Sequence, residues 1–370
     1  MKEKYCKIPK FRFNKFLESW KRLKYEDVIE VNSGKDYKHL EKGDIPVYGT
    51  GGYMLSVSEA ITNKDGVGIG RKGTINKPYI LKAPYWTVDT LFFCIPKNKY
   101  NLYFINAIFE RTQWERFDES TGVPSLSKLT INNIQNYFPS FDEQTAIGSL
   151  FRTLDDLLAS YKDNLTNYQS LKATMLSKMF PKAGQTVPEI RLDGFEGEWK
   201  LYELKSRAET ITKGTTPKDK SWQGEVNYIK TESINRDTGS LVRTASTSLD
   251  EHLGYLKRSI LKEDDVLFSI VGTLGVVGIV DKKDLPANTN QQIAIIRLKR
   301  DDAIFMLNFL KSPRIKSFIK SDSTIGAQPS LSLWQIEKIK VSLPPSLEEQ
   351  QAIGTYFSNL DNLINSHQEK

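Results

Sequence analysis

Cysteine and histidine are scarce in this chain. Cys6 and Cys94 are its only thiols, and His39, His252 and His367 its only imidazoles, among 370 residues. The cysteines lie far apart and form no CxxC pair, which argues against a disulfide framework or a structural zinc site. The histidines are scattered, so spacing marks none of them as a metal ligand or a base. No apolar run of about 18 residues occurs, so no transmembrane helix is expected. The opening MKEKYCKIPKFRF has no apolar signal core, and a cytoplasmic protein without membrane attachment is expected. No GxxxxGK[ST] loop is present, so ATP hydrolysis by this chain is not expected. The Pro344-Pro345 pair sits in SLPPS and lacks the acidic or amide residue that an aminomethyltransferase motif places before it. No Ser/His/Asp or Cys/His spacing suggests a nucleophile. The chain reads as non-catalytic, with no cofactor or metal of its own.

Two motifs bear on that reading. Gly68-Ile-Gly-Arg-Lys-Gly73 fits GxGxxG, but Thr74-Ile-Asn-Lys-Pro78 follows it and makes a poor helix start. A dinucleotide site needs a strand before and a helix after. The segment reads instead as a turn whose exposed amides, with Arg71 and Lys72, could meet phosphates or base edges. Glu198-Trp199-Lys200 resembles an acidic ExK element, yet the matching place in the first half is Ser19-Trp20-Lys21, without the carboxylate. That Trp and Lys read as a folding frame.

What is present is a repeat. PKFRFNKFLESWKRL (Pro9–Leu23) opens the first half and PEIRLDGFEGEWKLY (Pro188–Tyr202) the second. Pro124-Ser-Leu-Ser127 matches Pro329-Ser-Leu-Ser332. DEQTAIGSLFRTLDDLL (Asp142–Leu158) matches EEQQAIGTYFSNLDNLI (Glu348–Ile364). Each helix start follows a proline and fits a capping box, Ser140 with Glu143 and Ser346 with Glu349, in which the serine accepts a first-turn N–H and the glutamate reaches back to the cap.

Stepping by four and three from Ile147 gives Phe151, Leu154, Leu158, Tyr161, Leu165, Tyr168, Lys172, Met175 and Met179. That alternation is a coiled-coil seam on a helix of roughly 60 Å. The second copy carries Ile353, Phe357, Leu360 and Ile364. Two such seams predict an intramolecular pairing of Ile147, Phe151, Leu154, Leu158 and Tyr161 with Ile353, Phe357, Leu360 and Ile364. The second copy ends about four turns earlier than the first. Leu165 to Met179 is therefore expected to lack an intramolecular partner, and to be covered by another chain or to fray.

The division expected is 1–139 for a first domain, 140–181 for the long helix, 182–345 for a second domain and 346–370 for a short second helix. Both domains read as mixed α/β. A short strand running into a glycine-rich turn is expected at Pro46–Met54, strands at Thr87–Ile95, Val226–Ile229, Val266–Val271 and Gln292–Leu298, and helices at Leu102–Phe117 and Ala303–Lys320. The net charge of +7 and pI near 9.0 are compatible with a polyanionic partner but are shared by many ordinary proteins. Basic, hydroxyl-rich and aromatic loops recur at matching depths. In the first domain these hold Tyr48, Thr50, Tyr53, Arg71, Lys72, Lys77, Trp86 and Thr87. In the second they hold Lys213, Thr215, Thr216, Lys218, Lys230, Thr231, Ser233, Asn235, Arg236, Thr273, Asn288, Asn290 and Gln291. Such side chains suit DNA, since Arg and Lys pair with guanine or phosphate and Asn and Gln with adenine.

The domain openings, the PSLS segments, the EQxAIG helix starts and the KGTTP loop at Lys213–Pro217 together resemble the specificity subunit of Type I restriction–modification systems. The resemblance covers essentially the whole chain. It implies two target-recognition domains separated by two long antiparallel coiled-coil helices, with a pseudo-twofold internal repeat. Each domain would read one half of a bipartite site in double-stranded DNA. The helices would set the spacing and dock methyltransferase subunits, two by symmetry, before a restriction and translocase subunit joins. S-adenosylmethionine, ATP and Mg would belong to those partners. The competing readings are a self-contained restriction or modification enzyme and a protein-binding scaffold.

Overall fold

The computed structural model describes residues 9, 11–324 and 328–368. The chain divides into two compact units, Met1–Ser160 and Tyr161–Lys370. The division falls inside the long helix rather than at its ends.

Unit 1 begins with β1 (Lys21–Lys24), α1 (Tyr25–Val28) and β2 (Ile29–Ser33), followed by the hairpin of β3 (Lys42–Gly49) and β4 (Gly52–Val57). Then come β5 (Gly66–Gly70), β6 (Tyr79–Leu81), β7 (Trp86–Thr87), β8 (Leu91–Pro96), α2 (Leu102–Arg111), α3 (Lys128–Asn133) and β9 (Gln135–Phe138). A four-stranded sheet in the order β2-β8-β5-β6 and a three-stranded sheet in the order β4-β3-β7 form the body, and β1 pairs with β9. α4 (Phe141–Lys178) then carries the chain into the second unit.

Unit 2 repeats the plan. β10 (Lys200–Glu203), α5 (Leu204–Arg207), β11 (Ala208–Lys213), β12 (Val226–Ile229), β13 (Ser246–Thr247) and α6 (Leu249–Leu253) precede β14 (Val266–Ser269), β15 (Val277–Ile279), β16 (Ala287–Thr289) and β17 (Ile293–Leu298). α7 (Ala303–Lys311), α8 (Pro313–Asp322), α9 (Leu333–Glu337), β18 (Lys340–Leu343) and α10 (Leu347–Gln368) complete it. Its sheets run β11-β17-β14-β15 and β13-β12-β16, and β10 pairs with β18. Both units thus share one strand order. Among the described residues no helix is long and apolar enough to cross a membrane.

Local chemistry accounts for the departures from the expected elements. The helix expected over Ala303–Lys320 is broken between Lys311 and Pro313, because proline lacks the N–H and its ring clashes with the preceding turn. The one expected over Leu102–Phe117 stops at Arg111 and turns into a short 3-10 segment, where the Trp114 indole N–H donates to the Phe109 carbonyl at 2.7 Å. The strand expected over Thr87–Ile95 is two strands, β7 and β8, joined by a turn.

The shared EQxAIG start is explained by what it touches. The serine half of the expected capping box holds, with Glu143 N donating to Ser140 Oγ at 3.4 Å and Glu349 N to Ser346 Oγ at 3.2 Å. The glutamates do not reach back to the cap. Glu143 accepts both arms of Arg12 at 2.7 Å, and Glu349 both arms of Arg191 at 2.8 Å. These arginines stand in the two domain openings, so the openings and the helix starts are one buried device. The fork of a guanidinium matches a carboxylate bidentately, and an adjacent carboxylate holds each arginine's proton more tightly. The glutamines brace the N-caps of the neighbouring helices α2 and α7: Asn101 N donates to Gln144 Oε1 at 3.1 Å, and Asp302 N to Gln350 Oε1 at 3.0 Å. The glycines let the helices pass those same caps. A Cβ on Gly148 would lie 2.4 Å from Asn101 Oδ1, and one on Gly354 2.9 Å from Asp302 Oδ1.

The seam pairs differently from expectation. Ile353, Phe357, Leu360 and Ile364 are buried, at 2%, 0%, 5% and 1% exposure. What covers them is α7 together with the second half of α4 and Phe180 just beyond its end. Phe357 stacks on Phe180 with ring centroids 6.0 Å apart, Asp361 accepts from Lys172, and the His367 ring meets Tyr161 and Tyr168 at 5.4 and 5.3 Å. Met175 and Met179 join the same core. So the segment expected to lack a partner has one, and of the residues expected to be paired Tyr161 meets α10 through His367 while Phe151, Leu154 and Leu158 stay exposed. Ile147 packs on the core of unit 1, but Phe151, Leu154 and Leu158 are 44%, 44% and 52% exposed. The reason is direction. Here α10 runs antiparallel to α4, so the start of one copy faces the far half of the other, not its own likeness.

Candidate nucleic-acid interface

In each unit a glycine ends the outer strand of the larger sheet and lets the chain graze the strand beside it. A Cβ on Gly214 would lie 2.0 Å from the Thr289 carbonyl oxygen, and one on Gly34 2.0 Å from that of Val88. In unit 2 the next residues form a loop: Thr215 N donates to the Thr289 carbonyl at 2.9 Å, and the Tyr228 hydroxyl to the Thr215 carbonyl at 2.9 Å. Thr216 hydrogen-bonds Gln291 across the loop mouth. Lys213 is exposed at the loop's start. Lys218 lies 4.8 Å from the centroid of Tyr255, and Lys230 3.7 Å from that of Trp222. Burial of the Tyr228 phenol holds its pKa well above the usual range, so it stays a neutral donor.

In unit 1 the matching loop is Gly34-Lys35-Asp36, which the sequence reading missed because it lacks the KGTTP spelling. Lys35 N donates to the Thr87 carbonyl at 2.9 Å, and the Trp86 indole to the Lys35 carbonyl at 2.9 Å. The signal available was the glycine following the second strand of each unit, β2 and β11. Tyr48 sits beside this loop, paired with Thr87 across β3 and β7, and its ring meets Tyr53 at 6.4 Å. Tyr53, Lys72, Arg71 and Lys77 are exposed, and Thr50 half-buried. Arg71 lies over the Phe92 ring at 5.7 Å.

Several candidates stand elsewhere. Thr87 and Asn288 are fully buried, and Trp86 nearly so, and in this arrangement they cannot offer their side chains to a ligand. Asn288 is bound on all sides: its Oδ1 accepts from His252 Nδ1 at 2.6 Å, and its Nδ2 donates to the Leu256 carbonyl at 3.0 Å. Ser233 is buried and its Oγ accepts from Lys230 N at 3.0 Å, while Thr231 beside it has a buried hydroxyl. Asn235 Oδ1 caps its own turn, accepting from Asp237 N at 2.9 Å and Thr238 N at 3.1 Å. Asn290 donates to Gln292 at 3.2 Å. Arg236 and Thr273 are exposed but line a different place, a cavity of about 640 Å³ beside Lys172 and Lys311. The amides of the Gly68–Gly73 turn are also taken. Arg71 N donates to the Thr90 carbonyl at 2.8 Å and Gly73 N to that of Pro124 at 2.8 Å. Only the Arg71 and Lys72 side chains there face outward. Among the described residues no cluster of three or more His, Cys, Asp or Glu is arranged to hold a metal ion.

The chain belongs to the Type I restriction modification DNA specificity domain family, whose pattern matches residues 18–168 and again 196–370. It is similar to the Type I restriction enzyme MjaVIII specificity subunit of Methanocaldococcus jannaschii, at 24% identity over 66% of this chain and 60% of that protein. It is also similar to the Type I restriction enzyme EcoBI specificity subunit of Escherichia coli, at 23% identity over 91% of this chain and 78% of that protein. The chain thus spans less than two thirds of the MjaVIII subunit. Among solved structures, a Type-I restriction-modification system S subunit from M. genitalium shares its fold, with a TM-score of 0.66, 15% identity, and 98% and 94% of the two chains covered.

Proposed function

We propose that this chain is the non-catalytic DNA-specificity subunit of a Type I restriction–modification complex. Each unit reads one half of a bipartite duplex site. The observation that supports this best is the pair of matched frames with unlike loops. The sheets, the close-approach glycines and the Arg–Glu clamps recur, whereas the loops they hold differ in sequence between units. One scaffold that holds two different polar loops suits two different base sequences. The exposed cations Arg71, Lys72, Lys213 and Lys218 supply phosphate or guanine contacts, and Thr216 and Gln291 supply amide and hydroxyl edges. α4 and α10 serve as the spacer between half-sites and as the platform for two methyltransferase subunits. S-adenosylmethionine, ATP and Mg are assigned to the partner subunits, including the restriction and translocase subunit.

The test is reconstitution with a methyltransferase subunit and sequencing of the methylated bases. Methylation of one bipartite sequence is expected. Replacing Arg71 and Lys72 by alanine should relax the sequence at one half only. Equal loss at both halves, or methylation by the chain alone, would refute the two-reader assignment.

A further inference from the structure

The cavity of about 640 Å³ beside Lys172 and Lys311 lies wholly within unit 2. The second half of α4, the helices α7 and α8, and the loop from β14 to β15 line it. Its polar wall is cationic. Lys172 of α4, Lys311 of α7, Lys316 of α8 and Arg236 all face it. Fewer carboxylates oppose them: Asp361 of α10 takes the Lys172 ammonium, and Asp237 lines the wall. Four cations against two carboxylates leave a surplus of two positive charges. Arg236 and Lys316 have no ion-pair partner among the described residues. The other two ammonium groups converge on one oxygen, the backbone carbonyl of Asp237. Lys172 is only 6% exposed, and burial, with Lys172 nearby, pushes the Lys311 ammonium down to about 7. A cavity whose wall holds like charges together against their own repulsion suits an anion.

The rest of the wall is apolar, formed by Leu176, Val276, Leu310 and Ile319. The loop beside it is fixed from beneath. Ser269 Oγ accepts from Val276 N at 2.8 Å and donates to the Thr273 carbonyl at 2.6 Å. Gly275, at φ +74°, lets the loop graze α8, where a Cβ would lie 2.4 Å from Ile319 Cδ1. We propose that this cavity binds a small organic phosphate monoester. The phosphate sits among Lys311, Lys316 and Arg236, and the apolar body lies on Leu176, Val276, Leu310 and Ile319. A monoester carries about −1.5 to −2 charge at neutral pH, which matches the surplus. The volume is that of a small-molecule site, apolar with a few convergent polar groups. A duplex phosphate suits it less well, since each carries a single charge and a backbone contact has no use for an apolar floor. The assignment does not depend on what the loops read.

The test is calorimetric titration of the full chain with phenyl phosphate, inorganic phosphate and a random-sequence duplex. Phenyl phosphate should bind at least about tenfold more tightly than inorganic phosphate, because only its ring reaches the apolar wall. Lys316→Ala and Arg236→Ala remove exposed, unpaired cations, so both should fold normally and each weaken phenyl phosphate about tenfold. Lys311 gives an independent readout. It shares the cavity with Lys172, Lys316, Arg236 and Asp237, with Asp361 behind Lys172, and an added anion favours its charged form. Binding at about pH 8 should therefore take up a proton, seen as a dependence of the heat on the buffer's ionisation enthalpy. Lys311→Met should abolish that uptake. Absence of binding, binding without proton uptake, or affinity unmoved by both alanine variants would overturn the proposal. Inorganic phosphate binding as tightly as phenyl phosphate would reduce the cavity to a site for a simple ion. A duplex that displaces phenyl phosphate, and is itself weakened by the alanine variants, would give these cations to a DNA backbone. Either result refutes the small-ligand assignment.

Discussion

The first turns of α4 and of α10 are nearly the same peptide with opposite fates. Both begin with a buried Glu–Gln pair, both clamp an arginine from the domain opening, and both pass a neighbouring helix cap at a glycine. Two turns later they diverge. Phe357 lies at the centre of a core and Phe151 stands in solvent. Nothing in the two helix sequences causes this. The difference lies in what covers them, since residues 161–180 lie against α10 whereas residues 149–160 are left exposed. A seam records the readiness of a face to be buried, and the neighbour decides whether it is.

The largest contrast should come from truncating the two phenylalanines. Phe357→Ala opens a cavity among Phe180, Phe305 and Phe309 and should cost about 3–5 kcal/mol. Phe151→Ala should stay within about 0.5 kcal/mol in the chain alone. Urea unfolding of each variant, followed by probes in each unit, reads the pair. Similar losses from both would show that 150–158 is already covered in solution.

The clamps come next. Arg191→Ala strands Glu349, which is 1% exposed and keeps only the Trp199 indole at 3.3 Å. The arginine retains an edge to water, so about 2 kcal/mol is expected, below the cost of breaking a fully enclosed pair. Adding Glu349→Gln should return part of the loss, because a neutral amide is cheaper to leave unpaired in the interior. A double-mutant cycle that shows no coupling would remove the clamp from the frame. Arg12→Ala should weaken unit 1 in the same direction.

Burial also separates two helix ends. α2 ends at the exposed Arg111, whereas α7 ends at Lys311, where burial, with Lys172 nearby, pushes the ammonium down to about 7. Asp361 and Asp237 oppose that fall, and the ammonium donates to the Asp237 carbonyl at 2.9 Å. The unfolded chain keeps this proton up to about 10.4, so between the two values it binds more protons than the folded chain. Lys311 therefore weakens the fold most below pH 7, and the penalty lifts as pH rises from 7 towards 10. Lys311→Met should flatten that rise and stabilise unit 2 at neutral pH, while Arg111→Met should leave the profile of unit 1 unchanged. Unfolding measured across that range compares them, and an unchanged slope in Lys311→Met would show that Lys311 is solvated.

These contrasts also show how much was legible beforehand. The repeat, the mixed α/β frame and the extents of β12 and β17 could be read because they rest on periodicity and on spellings that recur. The clamp was half legible: Arg12 and Glu143 both stood in repeated motifs, but their meeting is a tertiary fact. The partner of the seam is not legible in the sequence, because similarity between two helices does not imply contact between their matching residues. Loop residues fared worst. Asn288 and Thr87 have DNA-reading chemistry, yet the same hydrogen-bonding groups serve an interior equally well. Only burial distinguishes the two uses, and a polar strand end beside a loop carries no pattern that reveals it.

The smallest expected effect on stability is the one that tests the loops. Arg71 and Lys72 are exposed, and the turn beneath them is held by backbone bonds to Thr90 and Pro124 that do not involve either side chain. Alanine at either position should therefore change unfolding by no more than about 0.5 kcal/mol. If the side chain meets a phosphate, the slope of log affinity against log salt should shrink by about 1, and binding should weaken to all sequences alike. If it meets a guanine, the slope should hardly move and discrimination at one position should fall instead. Affinity of the assembled complex for matched and mismatched duplexes, measured over a salt series, distinguishes these outcomes. The same series on Thr216→Ala and Gln291→Ala, at the loop mouth of unit 2, should alter only the other half-site. A variant in one unit that changes both half-sites would mean that the two frames do not read independently.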